Sequence, residues 1–415
     1  MDALIERDLE RAEAGAFDLV IIGGGIQGAT LALEAARRSL VTLLIERGDF
    51  GGETTANSLR IVHGGLRYLR SLDLPRFRES VAERRWFLRG FPDLVKPLPC
   101  LMPLYDPPQG GRLRRPAVLR LALRMNDLLA REGALPPGRI LSAPEVADLF
   151  PGVDRRGLRG GALWHDAVVP EPHRLLAEIL RRACRCGAGA LDRTEATDLL
   201  QEDGKVAGVR AVDRKTGRSL EIRARAVVNC AGPWSREVAR RFDRDIPPLF
   251  RPVLAFNLLL DRQPPSRTAL AVAAPGPGAQ TWFLVPMEDR LLAGTAYVPA
   301  AAENGPGEEE IAGFLAALNA AVPGLALTRG EVLRTLWGRL PAVAEGSTVP
   351  ANRPVIHDHG RHGGPEGLVS VSGVKLTTAR AVSERALGIL SRLERPAVSP
   401  PHEDFVSLAG ERRAS

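Results

Sequence analysis

The chain alternates short apolar runs with stretches whose apolar residues recur at helical spacing. Residues 17–22 (FDLVII) are β-branched and apolar, which predicts a buried strand, and a glycine cluster ends the run. Residues 28–38 (GATLALEAARR) then place small apolar side chains on one helical face, and residues 41–45 form a second apolar strand closing on Glu46. This strand–turn–helix–strand unit has the length of a parallel crossover. Further along, residues 113–131 predict a basic helix and 171–184 another helix. Residues 204–225 alternate between turn signals, as a meander would, and 226–229 form a short buried strand running into Cys230-Ala231-Gly232-Pro233-Trp234. Apolar strands around Pro and Gly between 246 and 300 predict a second, antiparallel sheet. A helix at 308–321, a strand at 367–371 and a helix at 379–393 complete the pattern, with no internal repeat.

A length of 415 residues suffices for two cores, and the 45% apolar and 25% charged content is that of an ordinary globular protein. No apolar run approaches the ~20 residues of a membrane span. The charged segment 1–16 lacks an apolar leader, so cytoplasmic residence is expected. Net charge is +7, nearly all of it arginine. A solvated basic surface accounts for this, as does attraction to anionic lipid or substrate. Arg112, Arg114, Arg115, Arg120 and Arg124 alternate with apolar residues, which leaves open peripheral contact on the inner face of the membrane. Cys100, Cys184, Cys186 and Cys230 fit neither a zinc knuckle nor a CxxC motif and are expected as free thiols. His357, Asp358, His359 and His362 have no strong metal-site spacing, so no metal is expected. Nor do the aromatic platforms of a nucleic-acid binder occur.

The chemistry begins at Gly23-x-Gly25-x-x-Gly28, where Ile26 and Gln27 fill the variable positions. The first glycine permits a tight turn, the second lets pyrophosphate approach the backbone, and the third allows close helix–strand packing. The helix N-terminus offers N–H groups and a partial positive charge to phosphate. Glu46, followed by Arg47, stands where a carboxylate accepts hydrogen bonds from a ribose diol, and its charge disfavours a 2′-phosphate. This much indicates a dinucleotide without separating FAD from NAD.

The next stretch, residues 54–69 (TTANSLRIVHGGLRYL), is dense in hydroxyls, glycine and basic groups. It resembles the FAD-dependent glycerol-3-phosphate dehydrogenases, within the D-amino-acid-oxidase-like superfamily of FAD oxidoreductases. NCAGPW at 229–234 and GVKLTTAR at 373–380 are similar to that family's flavin-binding segments, and Gly338-Arg339 followed by Pro341 is similar to its Gly-x-Arg-Pro motif. The resemblance implies an α/β fold with a discontinuous, Rossmann-like FAD-binding domain (17–96, 160–245 and 337–396) and an antiparallel-sheet substrate domain (97–159 and 246–336). Segment 1–16 precedes them and a tail, 397–415, follows. FAD contacts are then expected from Gly23, Gly25, Ile26, Gln27, Gly28, Glu46, Arg47, Thr54, Thr55, Ser58, Arg60, Ile61, His63, Gly64, Gly65, Ala231, Gly232, Gly373, Val374, Lys375, Leu376 and Thr377.

The resemblance also implies noncovalent FAD and a hydride passing from the carbinol carbon of glycerol 3-phosphate to flavin N5, with electrons going on to quinone or oxygen. Arg67, Arg339 and Lys375 would face the substrate, Arg offering phosphate a bidentate fork and Lys375 stabilising reduced flavin. Tyr68 contacts substrate or only packs. Two stretches depart from the family. Where it carries Lys-Gly-Ser-His this chain has Leu254-Ala255-Phe256-Asn257, so Asn257 can bond a hydroxyl but cannot take its proton. Gly-Thr-Thr-Asp becomes Gly294-Thr295-Ala296-Tyr297. The family's helical C-terminal domain is not expected in this short member. Oxidation of another 2-hydroxy acid, an amine or an amino acid, and a non-catalytic flavin-bound subunit, stand as alternatives.

Overall fold

Strand Ala16–Ile22 lies inside an eight-stranded sheet in the computed structural model, which describes residues 5–69, 73–106, 116–129, 135–243, 247–273, 280–300 and 305–393. Six of its seven residues are buried, as a continuous apolar run in a parallel sheet covered on both faces requires. Thr42–Ile45 flanks it in parallel on one side and Ser219–Asn229 on the other; Gly189–Leu191 and Leu368–Ser372 extend the two sides in parallel. Val355–Asp358 closes one edge antiparallel.

Ser219–Asn229 changes character along its length. Its first half alternates exposed and buried residues and pairs antiparallel with Lys205–Asp213, which in turn pairs with Thr194–Glu202. Its last four residues are all buried, and three of them pair with both parallel neighbours. The meander and the short buried strand expected separately are thus partly one element. Helix Ile26–Ala36 follows the first strand and is buried on nearly every side, because helices Pro172–Arg185 and Ala379–Ile389 pack on it.

The second sheet has nine strands, running Val332–Ala342, Arg251–Leu260, Arg290–Pro299, Thr281–Met287, Ala269–Ala273, Lys96–Tyr105, Leu158–Val168 and Ile61–Val62, with Arg139–Leu141 also beside Leu158–Val168. From Arg251–Leu260 to Ile61–Val62, and for Arg139–Leu141, the pairings are antiparallel except that of Ala269–Ala273 with Lys96–Tyr105. Two cores line its faces. Leu258 and Leu260 join Phe256, Trp282 and Phe314 in one, while Leu259 joins Val285, Leu292 and Trp164 in the other. The period of two in Arg251–Leu260 therefore feeds both cores, and a sheet buried on both faces shows no polar alternation.

The chain divides into two compact units, Met1–Ala56 with Glu171–Pro252 and Leu340–Ser415, and Asn57–Pro170 with Val253–Arg339. These boundaries differ from the expected domain limits. Residues 57–96 and 160–170 belong to the second unit, because Ile61–Val62 and Lys96–Tyr105 both pair with Leu158–Val168. The expected basic helix is seen at Pro116–Leu129; Arg112, Arg114 and Arg115 lie outside the described residues, as does the tail 397–415.

Candidate active site

In the first unit the glycine turn has the shape that its spacing implies. Gly23 has φ +107°, and a Cβ there would lie 2.5 Å from the Cys230 carbonyl oxygen. At Gly28 a Cβ would lie 1.9 Å from the Gly23 carbonyl oxygen, so helix and turn touch backbone to backbone. A Cβ at Gly25 would meet only the Thr55 hydroxyl, at 3.3 Å, leaving the second glycine facing room for a ligand. Gly25 is also the N-cap and carries no side chain to cap the helix. Thr55 Oγ1 accepts a hydrogen bond from the Ile26 N–H at 3.0 Å.

Glu46 Oε2 accepts from Gly24 N at 2.7 Å and Oε1 from Gly48 N at 2.7 Å. These two bonds fix the carboxylate and leave lone pairs for a diol. Arg47 lies over the Trp234 ring, 4.0 Å from its centroid. Gln27 Nε2 donates to the Lys375 carbonyl at 3.5 Å, and a Cβ on Gly373 would run into the same amide. The segment Gly373–Thr377 thus lies beside the start of the dinucleotide helix, with Val374, Lys375 and Leu376 half-buried. Gln27 Oε1 and Thr54 Oγ1 are buried with no partner. Unpaired buried polar atoms are costly, so a ligand with donor groups fits here. Open space at Gly25, a helix start whose N-cap has no side chain and these two atoms together suit a dinucleotide such as FAD.

Further candidates lie in the second unit, His63, Gly64 and Gly65 among them on one turn. Ile61 and Val62 pair with Val168 and Ala167, and Ile61 sits in the sheet core. Asp166, on the neighbouring strand, is buried beneath the turn. Its Oδ1 accepts from Gly64 N at 2.7 Å and Arg84 Nη1 at 3.2 Å; its Oδ2 accepts from Trp164 Nε1 at 3.2 Å and lies 3.4 Å from His63 Nδ1. Burial alone would raise the Asp166 carboxyl, but the His63 and Gly64 hydrogen bonds and the charges of His63 and Arg84 outweigh it and hold it at about 2. An ionised carboxylate only accepts, so His63 Nδ1 carries a proton directed at Asp166. The His63 ring lies 5.3 Å from that of Phe283. Gly64 has no room for a side chain, since a Cβ would lie 2.0 Å from Arg84 Nη1, and Gly65 takes φ +81°.

Arg67 follows on the short helix Leu66–Leu69 and is exposed. Burial pushes the Tyr297 phenol up and the Arg67 charge pulls it partly back, which brings these two groups within electrostatic reach. Tyr68 is buried with Leu69, Phe77 and Val81. Asn257 occupies the irregular position between Phe256 and Leu258; its Nδ2 donates to the Asn57 carbonyl at 2.8 Å and its Oδ1 accepts from Thr295 Oγ1 at 2.8 Å. That amide ties the segment after Ala56 to the sheet. Arg60 takes φ +65° and donates to the Pro170 carbonyl at 2.9 Å. Ser58 Oγ is buried without a partner, and Arg339 is half-buried in Val332–Ala342. Asp166 and Arg84 carried no site role in the sequence reading; an acid inside the apolar run ALWHDAVV was the one local sign of the first.

Comparison with known proteins agrees with this chemistry. Residues 18–386 match the family described as FAD dependent oxidoreductase. Glycerol-3-phosphate dehydrogenase 1 of Mycobacterium tuberculosis is 33% identical over 393 residues, covering 91% of this chain and 73% of that one. An alpha-glycerophosphate oxidase of Streptococcus pyogenes is 36% identical over 293 residues, covering 69% of this chain and 47% of the oxidase. The crystal structure of the glycerol-3-phosphate dehydrogenase from Bacillus halodurans complexed with FAD superposes with a TM-score of 0.69 at 24% identity, covering 92% of this chain and 66% of that one. Glycine oxidase from Geobacillus kaustophilus shares the fold at 20% identity and a TM-score of 0.59.

Proposed function

From the premise that this chain belongs to the family of FAD-dependent oxidoreductases, we propose that it oxidises the carbinol of a small polyol phosphate, glycerol 3-phosphate foremost. The observation that carries this reading is the turn at 63–67, which combines a histidine oriented by a buried carboxylate with an exposed arginine. A polyol phosphate needs both a proton acceptor for its hydroxyl and a fixed cation for its phosphate.

In this mechanism Arg67 binds the phosphate oxygens, with Arg339 as a second cation of the same unit. His63 takes the hydroxyl proton, and the ionised Asp166 stabilises the imidazolium that results. The neutral Tyr297 phenol donates a hydrogen bond to substrate oxygen. Glu46, the Gly23–Gly28 turn, Thr54 and Thr55 hold the dinucleotide, and Lys375 supplies positive charge to it. FAD, when bound, supplies the hydride acceptor. Asn257, already bonded to Asn57 and Thr295, keeps the sheet edge in place.

For the electron acceptor we favour oxygen or quinone, since relatives carry names of both the oxidase and the dehydrogenase kind. No described helix is long and apolar enough to cross a membrane. Helix Pro116–Leu129 exposes Leu121 (62%) and Leu128 (56%) beside exposed Arg120 and Arg124, and supports peripheral contact with anionic lipid. The test is anaerobic bleaching of the bound flavin with glycerol 3-phosphate, 2-hydroxy acids and amino acids in parallel. Rapid bleaching by glycerol 3-phosphate alone is expected; bleaching by an amino acid but not by the phosphate would overturn the substrate class. Sedimentation with anionic vesicles, with and without Leu121→Glu, tests the lipid contact.

A further inference from the structure

Behind the turn at 230–232, in the first unit, four polar side chains form an unbroken chain. His359 is fully buried; its Nδ1 lies 2.7 Å from Asp243 Oδ2 and its Nε2 2.9 Å from Ser370 Oγ. Ser370 Oγ accepts from Asn229 Nδ2 at 3.0 Å. Asn229 Nδ2 also donates to the Ser235 carbonyl at 2.8 Å, while its Oδ1 accepts from Ala231 N at 3.2 Å. Asn229 and Ser370 are likewise fully buried.

The direction of this chain follows from counting donors. An amide nitrogen only donates, so Ser370 Oγ must accept from Asn229. The single hydroxyl hydrogen then points to His359 Nε2, which must accept. The imidazole proton therefore sits on Nδ1 and donates to Asp243. Every link has one polarity, and it holds only while His359 is neutral. Protonation at Nε2 would set two donors against each other and strand the Ser370 hydrogen. Burial lowers the His359 pKa, opposed by the hydrogen bond and charge of Asp243 and by Asp358, and aided by His362. Asp243 comes from the end of helix Ser235–Phe242, and His357, Asp358 and His362 from the segment of His359 itself; the strand Ser219–Asn229 brings it the uncharged Asn229 side, by way of Ser370.

What this chain holds is the turn at 230–232. Asn229 grips it at Ala231 N and at the Ser235 carbonyl, and the turn backs onto Gly23, whose missing side chain leaves room for the Cys230 carbonyl. Gly232 has φ +55°, and a Cβ there would meet nothing within 4 Å.

We propose that Asp243, His359, Ser370 and Asn229 are a one-way positioning relay that fixes the 230–232 turn, and that the neutral form of His359 thereby sets how tightly the protein retains its dinucleotide. The proposal rests on the reading that Ala231 and Gly232 touch FAD.

The test is FAD affinity, measured from flavin fluorescence as cofactor rebinds stripped protein, at pH 7.5 and 5.5, with circular dichroism confirming the fold of each variant. Ser370→Ala and His359→Leu should weaken FAD roughly tenfold at pH 7.5, the scale of one or two buried hydrogen bonds. His359→Gln can donate to Asp243 and accept from Ser370 but cannot titrate. It should bind as wild type does at pH 7.5 and lose less affinity than wild type on acidification. Asn is tolerated at positive φ, so Gly232→Asn extends a side chain into open space that a bound ligand would feel. Unchanged FAD affinity in Gly232→Asn would overturn the reading of that turn, and the proposal with it. If Gly232→Asn weakens FAD while Ser370→Ala and His359→Leu do not, the relay alone is refuted. Parallel profiles for wild type and His359→Gln, carried down through the pH at which the His359 ring resonances are seen to titrate by NMR, would refute the requirement for neutral His359.

Discussion

Replacing Asp166 with Asn tests the centre of the proposed site, because the shape is kept and the charge removed. The carboxylate is 3% exposed and is held at about 2 against an ordinary 3.8. At ~1.4 kcal/mol for each tenfold change in proton affinity, that difference makes its ionised form worth ~2.5 kcal/mol to the fold. Arg84, 2% exposed, would also be left without its carboxylate, and breaking a buried pair costs ~3–5 kcal/mol. The variant should therefore lose about 2.5–5 kcal/mol in urea unfolding at pH 7. The sign with pH is definite. A depressed folded pKa contributes stability above the unfolded pKa, so the wild-type advantage is whole above pH 4, shrinks as pH falls through the folded value of about 2, and is then gone. The same variant disorients His63, so kcat should fall ~10²-fold in the fraction that remains folded. A stability within ~0.5 kcal/mol of wild type at pH 7, where surface substitutions lie, would show that the carboxylate is not the anchor of the 63–65 turn.

Further consequences can be checked independently. Gly28→Ala places a Cβ where 1.9 Å separates it from the Gly23 carbonyl, so the turn must shift; stability should drop by ~3 kcal/mol or more and the purified protein should carry less FAD by absorbance. Arg67→Gln removes the cation proposed to bind phosphate, and kcat/KM for glycerol 3-phosphate should fall ~10–100-fold, the scale of a charged hydrogen bond, with the fold unchanged by circular dichroism. Arg7→Ala takes one donor from the fully buried Asp213, which still accepts from Thr216 and Lys215; unfolding in urea should show a loss of ~1–3 kcal/mol at pH 7.

The dinucleotide turn of the first unit was legible in the sequence because its determinants are local. Residues 17–46 hold strand, turn, helix, strand and acid in chain order, and the packing of Gly23 and Gly28 follows from that order. The candidate substrate residues of the second unit rest on resemblance alone. Strand Lys96–Tyr105 carries Pro97, Pro99 and Pro103, which argue against a strand inside a sheet. It is tolerated because the only pairing with Ala269–Ala273 falls at Cys100 and Leu101, away from all three prolines. Strand Leu158–Val168 is disguised by Gly160 and Gly161, whose want of side chains admits the Leu141 carbonyl and the Val146 side chain. Leu158–Val168 carries Asp166 and pairs with Ile61–Val62, which leads into the 63–65 turn, so the unit to which the turn belongs was hidden with that strand. A carboxylate 103 residues from its histidine leaves no periodicity to find. The loss of the family's Lys and His near Asn257 reads differently once the fold is known. Asn257 is occupied with Asn57 and Thr295, and the turn at 63–67 already combines an oriented imidazole with a cation. The departure at 254–257 therefore removes less chemistry than the sequence suggested, and the substrate reading depends on the second unit's turn more than on its sheet edge.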